Sequence, residues 1–136
     1  MARDPGSRST CPITCALDLL GDRWTLVVLR DLLLGGRRCF SEFARDEGIA
    51  TNILSDRLGR LESAGIVERR RDPSDGRKRR YVPTDKGRSL IPLLLEFAVW
   101  GSSHTGGTES SELVARASSD RDALVRELVA RSRADG

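Results

Sequence analysis

The sequence predicts a mainly α chain carrying one small β-hairpin (α+β), and three observations support that class. Apolar residues recur at helical spacing through the first 65 positions and again after Thr84, with Gly21, Gly35-Gly36, Gly48 and Gly65 as stops. One stretch departs from that period: two short β-prone runs flank the turn-rich Asp72-Pro73-Ser74-Asp75-Gly76. The length of 136 residues suits one compact unit that buries roughly 65–70% of its unfolded surface, enough for a core without disulfide staples.

Cys11-Pro12 opens the first helix, with proline at the first helical position, where its missing N–H costs nothing. Ile13, Ala16, Leu17 and Leu20 follow at helical spacing. The second helix, Trp24 to Leu34, is apolar on nearly every side and belongs at the centre of the core. Phe40 to Glu47 reads as a short third helix, with Ser41 in position to cap it and Phe43 turned inward. Thr51 is placed to cap a fourth, from about Asn52 to Ala64, whose buried stripe is Leu54, Leu58 and Leu61. At about 100° per residue, Asn52, Ser55, Asp56, Gly59 and Ser63 fall opposite that stripe, flanked by Arg57 and Arg60.

Ile66 to Arg70 and Arg79 to Val82 read as the two strands of a hairpin with a basic tip. Thr84 can then cap a helix, with Asp85 favourably placed in its first turn. From Leu90 to Trp100 that helix carries one charge, Glu96, and apolar residues all round, so a partner chain is expected to cover it; Pro92 is expected to kink it. Residues 102–108 have linker composition. Beyond them Leu113, Val114, Ala117, Leu124, Val125, Leu128 and Val129 mark a helical tail, 109–136, broken near Ser118-Ser119-Asp120 and a candidate for dimerisation. The expected organisation is a domain over 1–101, with a flexible arm over 1–10, followed by linker and tail.

Net charge is only +3, yet Ile66 to Arg88 holds nine basic residues against four acidic ones, leaving the remainder of the chain slightly negative. Clustered arginine suits a polyphosphate partner, because the guanidinium fork pairs with phosphate oxygens at two points; the competing reading is a solvated loop. The start of the chain is polar and turn-rich, no apolar run approaches the roughly 18–20 residues of a membrane span, and three cysteines fit a reducing cytosol better than a disulfide scaffold. A cytoplasmic protein with no membrane partner is expected. One histidine, no glycine-rich phosphate loop and no nucleophile–base pairing argue against an enzyme. Cys11, Cys15, Cys39 and His104 lack the paired close spacings of zinc sites, so no metal and no cofactor is expected, and His104 reads as exposed.

Short helix, tight turn, capped helix and hairpin, in that order, make a winged helix-turn-helix with flanking dimerisation helices. Here the residues resemble the HxlR-type winged-helix transcription regulators, relatives of the MarR regulators. The resemblance runs from Cys11 to about Trp100. It is carried by Cys11-Pro12, by Ala16-Leu17-Asp18-Leu19-Leu20-Gly21-Asp22-Arg23-Trp24-Thr25 and by Leu29-Arg30-Asp31. Further on, Phe40-Ser41-Glu42-Phe43, the stretch from Gly48 to Leu58, and Tyr81-Val82-Pro83-Thr84-Asp85-Lys86-Gly87 complete it. Two features depart from the family pattern. Pro83 stands where leucine is usual and can remove a ladder bond or mark an edge, and the turn after Arg71 looks closer to the MarR pattern.

The resemblance implies a homodimer on a palindromic double-stranded DNA operator, acting as a repressor, with the helix at Thr51 as recognition helix. Asn52, Ser55 and Arg57 would approach the major groove, and Arg77 and Arg79 would make wing contacts to backbone or minor groove. Asparagine pairs with adenine and arginine with guanine. Arg60 and Arg70 would position the protein on phosphates. For each residue the competing reading is a solvated surface charge, and Arg57 could instead pair with a neighbouring carboxylate. Leu94, Phe97 and Trp100 are the expected dimer contacts. Some relatives sense oxidants or electrophiles through a cysteine at the position of Cys11. Its place at a helix start favours thiolate, the alternative being a buried, inert cysteine. A small-molecule or oxidant effector is therefore an expected partner. A rival function is a winged-helix module for protein–protein or RNA contact without operator specificity.

Overall fold

The structure, a computed structural model, describes residues 9–134. The expected arm over 1–10 thus lies outside the described residues apart from Ser9 and Thr10. Seven helices, α1 (Pro12–Leu20), α2 (Arg23–Leu33), α3 (Thr51–Ser63), α4 (Asp85–Arg88), α5 (Ile91–His104), α6 (Ser111–Ser119) and α7 (Arg121–Ala134), and two strands, β1 (Val67–Arg71) and β2 (Arg79–Pro83), are described. The class expected from the sequence, mainly α with a small hairpin, is the one found.

The core forms around α2, whose Val28, Leu29, Leu32 and Leu33 are buried against Leu54, Leu58 and Leu61 of α3. Ile66, Val67 and Tyr81 of the hairpin and Ile91, Leu94 and Leu95 of α5 join the same cluster. The α3-to-hairpin corner is set by Gly65 at φ +74°. There the Gly65 N–H donates to Glu62 O and the Ile66 N–H to Leu61 O, a Schellman close that satisfies two helix-end carbonyls. The hairpin is antiparallel with Val67 opposite Pro83 and Arg71 opposite Arg79. Pro83 thus sits at the last ladder position. On its other edge β2 meets the chain at Cys39, where the Tyr81 N–H donates to Arg38 O at 2.8 Å.

Several local expectations are corrected. The third helix is a single 3-10 turn, Phe40–Glu42, followed by turns through Gly48, although Phe43 is buried as expected. Glu42, not Ser41, organises its start, accepting from the Cys39 N–H at 2.9 Å and the Arg38 N–H at 3.2 Å. Helical continuation is lost at Ala44, held at φ +50° while its N–H donates to buried Asp31 at 2.6 Å. Thr51 is the first residue of α3 rather than its cap; Ala50 stands at the cap and offers no side-chain bond. Pro92 does not kink a helix, because the chain breaks at Ser89-Leu90 and Pro92 falls in the first turn of α5, where proline is tolerated. The stretch read as linker from residue 102 stays helical through His104, whose ring stacks on Trp100 with centroids 4.7 Å apart.

The tail breaks at Asp120 as expected, but it does not stand apart. Ala117, Leu124 and Leu128 enter the core, and Arg131 reaches back to donate to Leu34 O. The uncovered apolar surface lies elsewhere: on α1, where Leu20 alone is buried while Ile13, Leu17 and Leu19 are exposed, and on Leu93, Phe97 and Trp100 of α5. Of the three expected dimer contacts, Leu94 is a core residue and Phe97 and Trp100 stand outward.

Candidate nucleic-acid interface

Helix α3 presents Thr51, Asn52, Ser55, Asp56, Gly59 and Arg60 to solvent, opposite its buried leucines. The outward side chains are short or polar, so another surface can come close to the helix. Arg60 is half exposed and pairs with Asp56 one turn earlier at 3.0 Å. Arg57 is different. It was expected to flank the outer face and reach toward a major groove, but its guanidinium turns back to Asp22, with Nε 2.6 Å from Oδ2 and Nη2 3.3 Å from Oδ1, while Nη1 donates to Asp56 at 2.6 Å. The neighbouring-carboxylate alternative describes it.

Asp22 is the residue that sequence reading missed. Its carboxylate caps α2 by accepting from the Thr25 N–H at 3.0 Å and the Thr25 hydroxyl at 3.2 Å, and it holds Arg57 with the same oxygen. The Arg57 hydrogen bond, with the Thr25 N–H adding to it, holds the Asp22 carboxyl at about 2 against an ordinary 3.8. An aspartate directly before a helix start is a cap signature and could have flagged the first role. The second needed the fold.

The hairpin tip is an ordered loop. Asp72 accepts from the Ser74 N–H, the Ser74 hydroxyl and the Asp75 N–H, and these bonds lower its pKa. Asp75 then accepts from the Arg77 N–H at 3.0 Å. Held this way, Arg77, Lys78 and Arg79 are exposed at the tip. Arg70 lies on β1, with Glu68 at 2.9 Å. The register sets Arg70 opposite Arg80 and Arg71 opposite Arg79. Like charges directly across a ladder repel, and Glu68 beside Arg70 offsets part of that repulsion.

Behind this surface, Arg30 forks onto Glu47 at 2.7 and 3.0 Å and onto Asp31, tying α2 to the turn that leads into α3. These bonds raise the Arg30 pKa and lower that of Glu47. Lys86 adds a strut, donating to Ala64 O at 2.7 Å.

The cysteines separate by environment. Cys11 stands at the N-cap of α1, exposed, and the nearby backbone N–H groups of Thr14 and Ile13 at the helix start lower its pKa. Burial, then the Glu42 charge, raises that of Cys39. Cys15 is exposed as well, with its thiol 3.6 Å from Ser9 O. Among the described residues no group of three or more His, Cys, Asp or Glu is placed to hold a metal ion, and no helix is long and apolar enough to cross a membrane.

The comparisons with known proteins agree with this geometry. A family model described as HxlR-like helix-turn-helix matches residues 19–109. The HTH-type transcriptional regulator Rv3095 of Mycobacterium tuberculosis is 38% identical over 89 residues, 65% of this chain. The chain spans only 56% of that relative's length. Among solved structures, the redox regulator HypR in its oxidized form superposes with a TM-score of 0.63 at 31% identity, covering 71% of this chain and all of HypR. The reduced form of the transcriptional regulator YodB from Bacillus subtilis gives 0.57 at 31% identity, covering 74% of this chain and all of YodB. With a helix-turn-helix whose second helix is open to solvent, a basic hairpin beside it and a family match over two-thirds of its length, the chain belongs to the HxlR-like helix-turn-helix family.

Proposed function

We propose that this protein is a cytoplasmic transcription regulator that binds a palindromic operator as a homodimer and represses transcription. The observation that carries the DNA-binding part is the exposed basic hairpin tip, Arg77, Lys78 and Arg79, held by the Asp72 and Asp75 turn bonds next to an α3 face of short polar side chains. A duplex offers what both surfaces fit: phosphates for the basic tip and base edges for the helix to read. Asn52 and Ser55, with Thr51 at the helix start, face base edges. Arg60, Arg70, Arg77 and Arg79 lie against the phosphate backbone or the adjacent minor groove. The exposed apolar residues Ile13, Leu17 and Leu19 of α1 and Leu93, Phe97 and Trp100 of α5 support the homodimer, since a second copy would remove them from water. Two copies would set their recognition helices about 34 Å apart, in successive major grooves. Cys11 is the proposed sensing thiol, supported by its exposure, its lowered pKa and the likeness to HypR, a redox regulator.

Footprinting on the DNA upstream of the chain's own gene tests the reading. A protected palindrome, with affinity falling steeply in salt and at least ~10³-fold above random duplex, is the expected result. Equal affinity for both DNAs would move the protein to the rival class, a module for RNA or protein contact. Operator affinity unchanged after stoichiometric oxidation of Cys11 would remove the sensing role alone.

A further inference from the structure

We infer that Arg57 is a positioning residue rather than a DNA contact, and that Asp22, by clamping it, sets the rotation of recognition helix α3 against the corner between α1 and α2; this rests on the DNA-binding reading above. Three observations lead there. Each nitrogen of the Arg57 guanidinium already points at a carboxylate of its own chain: Nε and Nη2 at Asp22, Nη1 at Asp56. Its side chain is only 16% exposed, although it lies on the helix that faces the duplex. Asp22, for its part, is fixed by the helix it caps, through the Thr25 N–H and hydroxyl.

The corner has little slack. Gly21 closes α1 with its N–H on Leu17 O at 2.8 Å, and a Cβ at Gly21 would lie 2.5 Å from that same oxygen. Asp22 follows immediately, so the end of α1 and the anchor of Arg57 are neighbours in the chain. From Arg57 the line continues to Asp56, whose Oδ2 also accepts from Arg60 Nε at 3.0 Å. An unbroken row of alternating charges thus runs from the α1–α2 corner to the outer face of α3. Rotating α3 about its axis would break the Asp22–Arg57 fork before it disturbed the leucine stripe, because an arginine–carboxylate fork is directional and apolar contact is not.

The experiment measures binding of wild type, Asp22→Asn, Arg57→Ala and the double variant across a salt series. The probe is the DNA upstream of the chain's own gene, with a random duplex of equal length as control. Asparagine keeps the capping acceptor, so Asp22→Asn spares α2, and thermal unfolding followed by circular dichroism verifies folding of each variant. Each single variant is expected to weaken probe binding about 5–10-fold, the double variant no more than the weaker single. Random-duplex binding is expected to shift less than about twofold, and the salt slope to stay at the wild-type value, since no phosphate contact is lost. A slope reduced by about one unit in Arg57→Ala would make Arg57 a phosphate contact and overturn the proposal. So would Asp22→Asn binding the probe as tightly as wild type, which is readable even if Arg57→Ala does not fold. Wild type that shows no preference for the probe would overturn the DNA-binding reading itself, and the clamp's role with it.

Discussion

Helix α1 and the tail pair α6–α7 look alike in sequence: short terminal helices with apolar residues at helical spacing. In the fold they take opposite positions. The tail buries Ala117, Leu124 and Leu128 in the chain's own core and is tied down again by Arg131 on Leu34 O and by an ion pair between Arg121 and Glu96. Helix α1 buries Leu20 and leaves Ile13 at 71% and Leu17 at 56% exposure. The comparison teaches that an apolar stripe marks surface to be covered without saying by what. In the tail the cover is intramolecular. For α1 and the outward side of α5, the proposed cover is a second copy.

The largest effect that can break this comparison is in the core. Leu124→Ala is expected to lower stability by about 2–5 kcal/mol in urea unfolding, the range for a buried leucine truncated to alanine. Leu17→Ala, measured at protein concentrations too dilute for association, should stay within about 0.5 kcal/mol of wild type. A comparable loss at both positions would mean that α1 is also held by its own chain. Next in size is assembly. Leu17→Asp combined with Phe97→Asp is expected to raise the dimer dissociation constant at least ~10-fold, about 1.4 kcal/mol, with an unchanged helical circular dichroism spectrum. Sedimentation of the double variant as a stable dimer would move the interface elsewhere, the tail being the next place to look.

A smaller effect concerns the corner where α1 joins α2. The Asp22 carboxyl is held at about 2 in the fold, below its ordinary 3.8, by Arg57 first and the Thr25 N–H next. A depressed folded pKa contributes stability that is fully present above about pH 4 and is lost as the pH falls toward about 2. The stability difference between wild type and Asp22→Asn should therefore be constant from pH 6 to about pH 4 and shrink below it. A difference that persists unchanged at pH 2 would mean that it does not come from the ionised carboxylate and its pairing with Arg57. The smallest effect is a several-fold difference in rate. Near pH 7, alkylation followed by mass spectrometry should label Cys11 first, where helix-start N–H groups favour thiolate, and Cys39 last, where burial opposes it.

Much of this was legible beforehand because it is local. The leucines at 54, 58 and 61, the glycine at 65 and the turn residues 72–76 each act within a few positions, and the α3 face, the hairpin and the Thr84 cap followed from them. The failures are equally particular. The Phe40–Glu47 segment has helical spacing, yet Asp31, 13 residues before Ala44, captures the amide there and the helix stops at one turn. Arg57 sits on the flank of the outer α3 face by any helical wheel, yet a carboxylate 35 residues earlier turns it inward.

The amino-acid order was enough to place the hairpin and most of the helices, the concentration of positive charge, and the face of α3 that is free of bulk. Those properties depend on backbone preference and side-chain period over one or two turns. Only the tertiary structure decided that the tail closes the core while α1 does not, that the third helix shrinks to a turn, and that Asp22 takes Arg57 away from the outer face. Each of those outcomes hangs on groups far apart in the chain, 97 residues in the case of Arg131 and Leu34. A directional bond between such groups has no periodic trace in either segment, so it exists only once the core has brought them within reach.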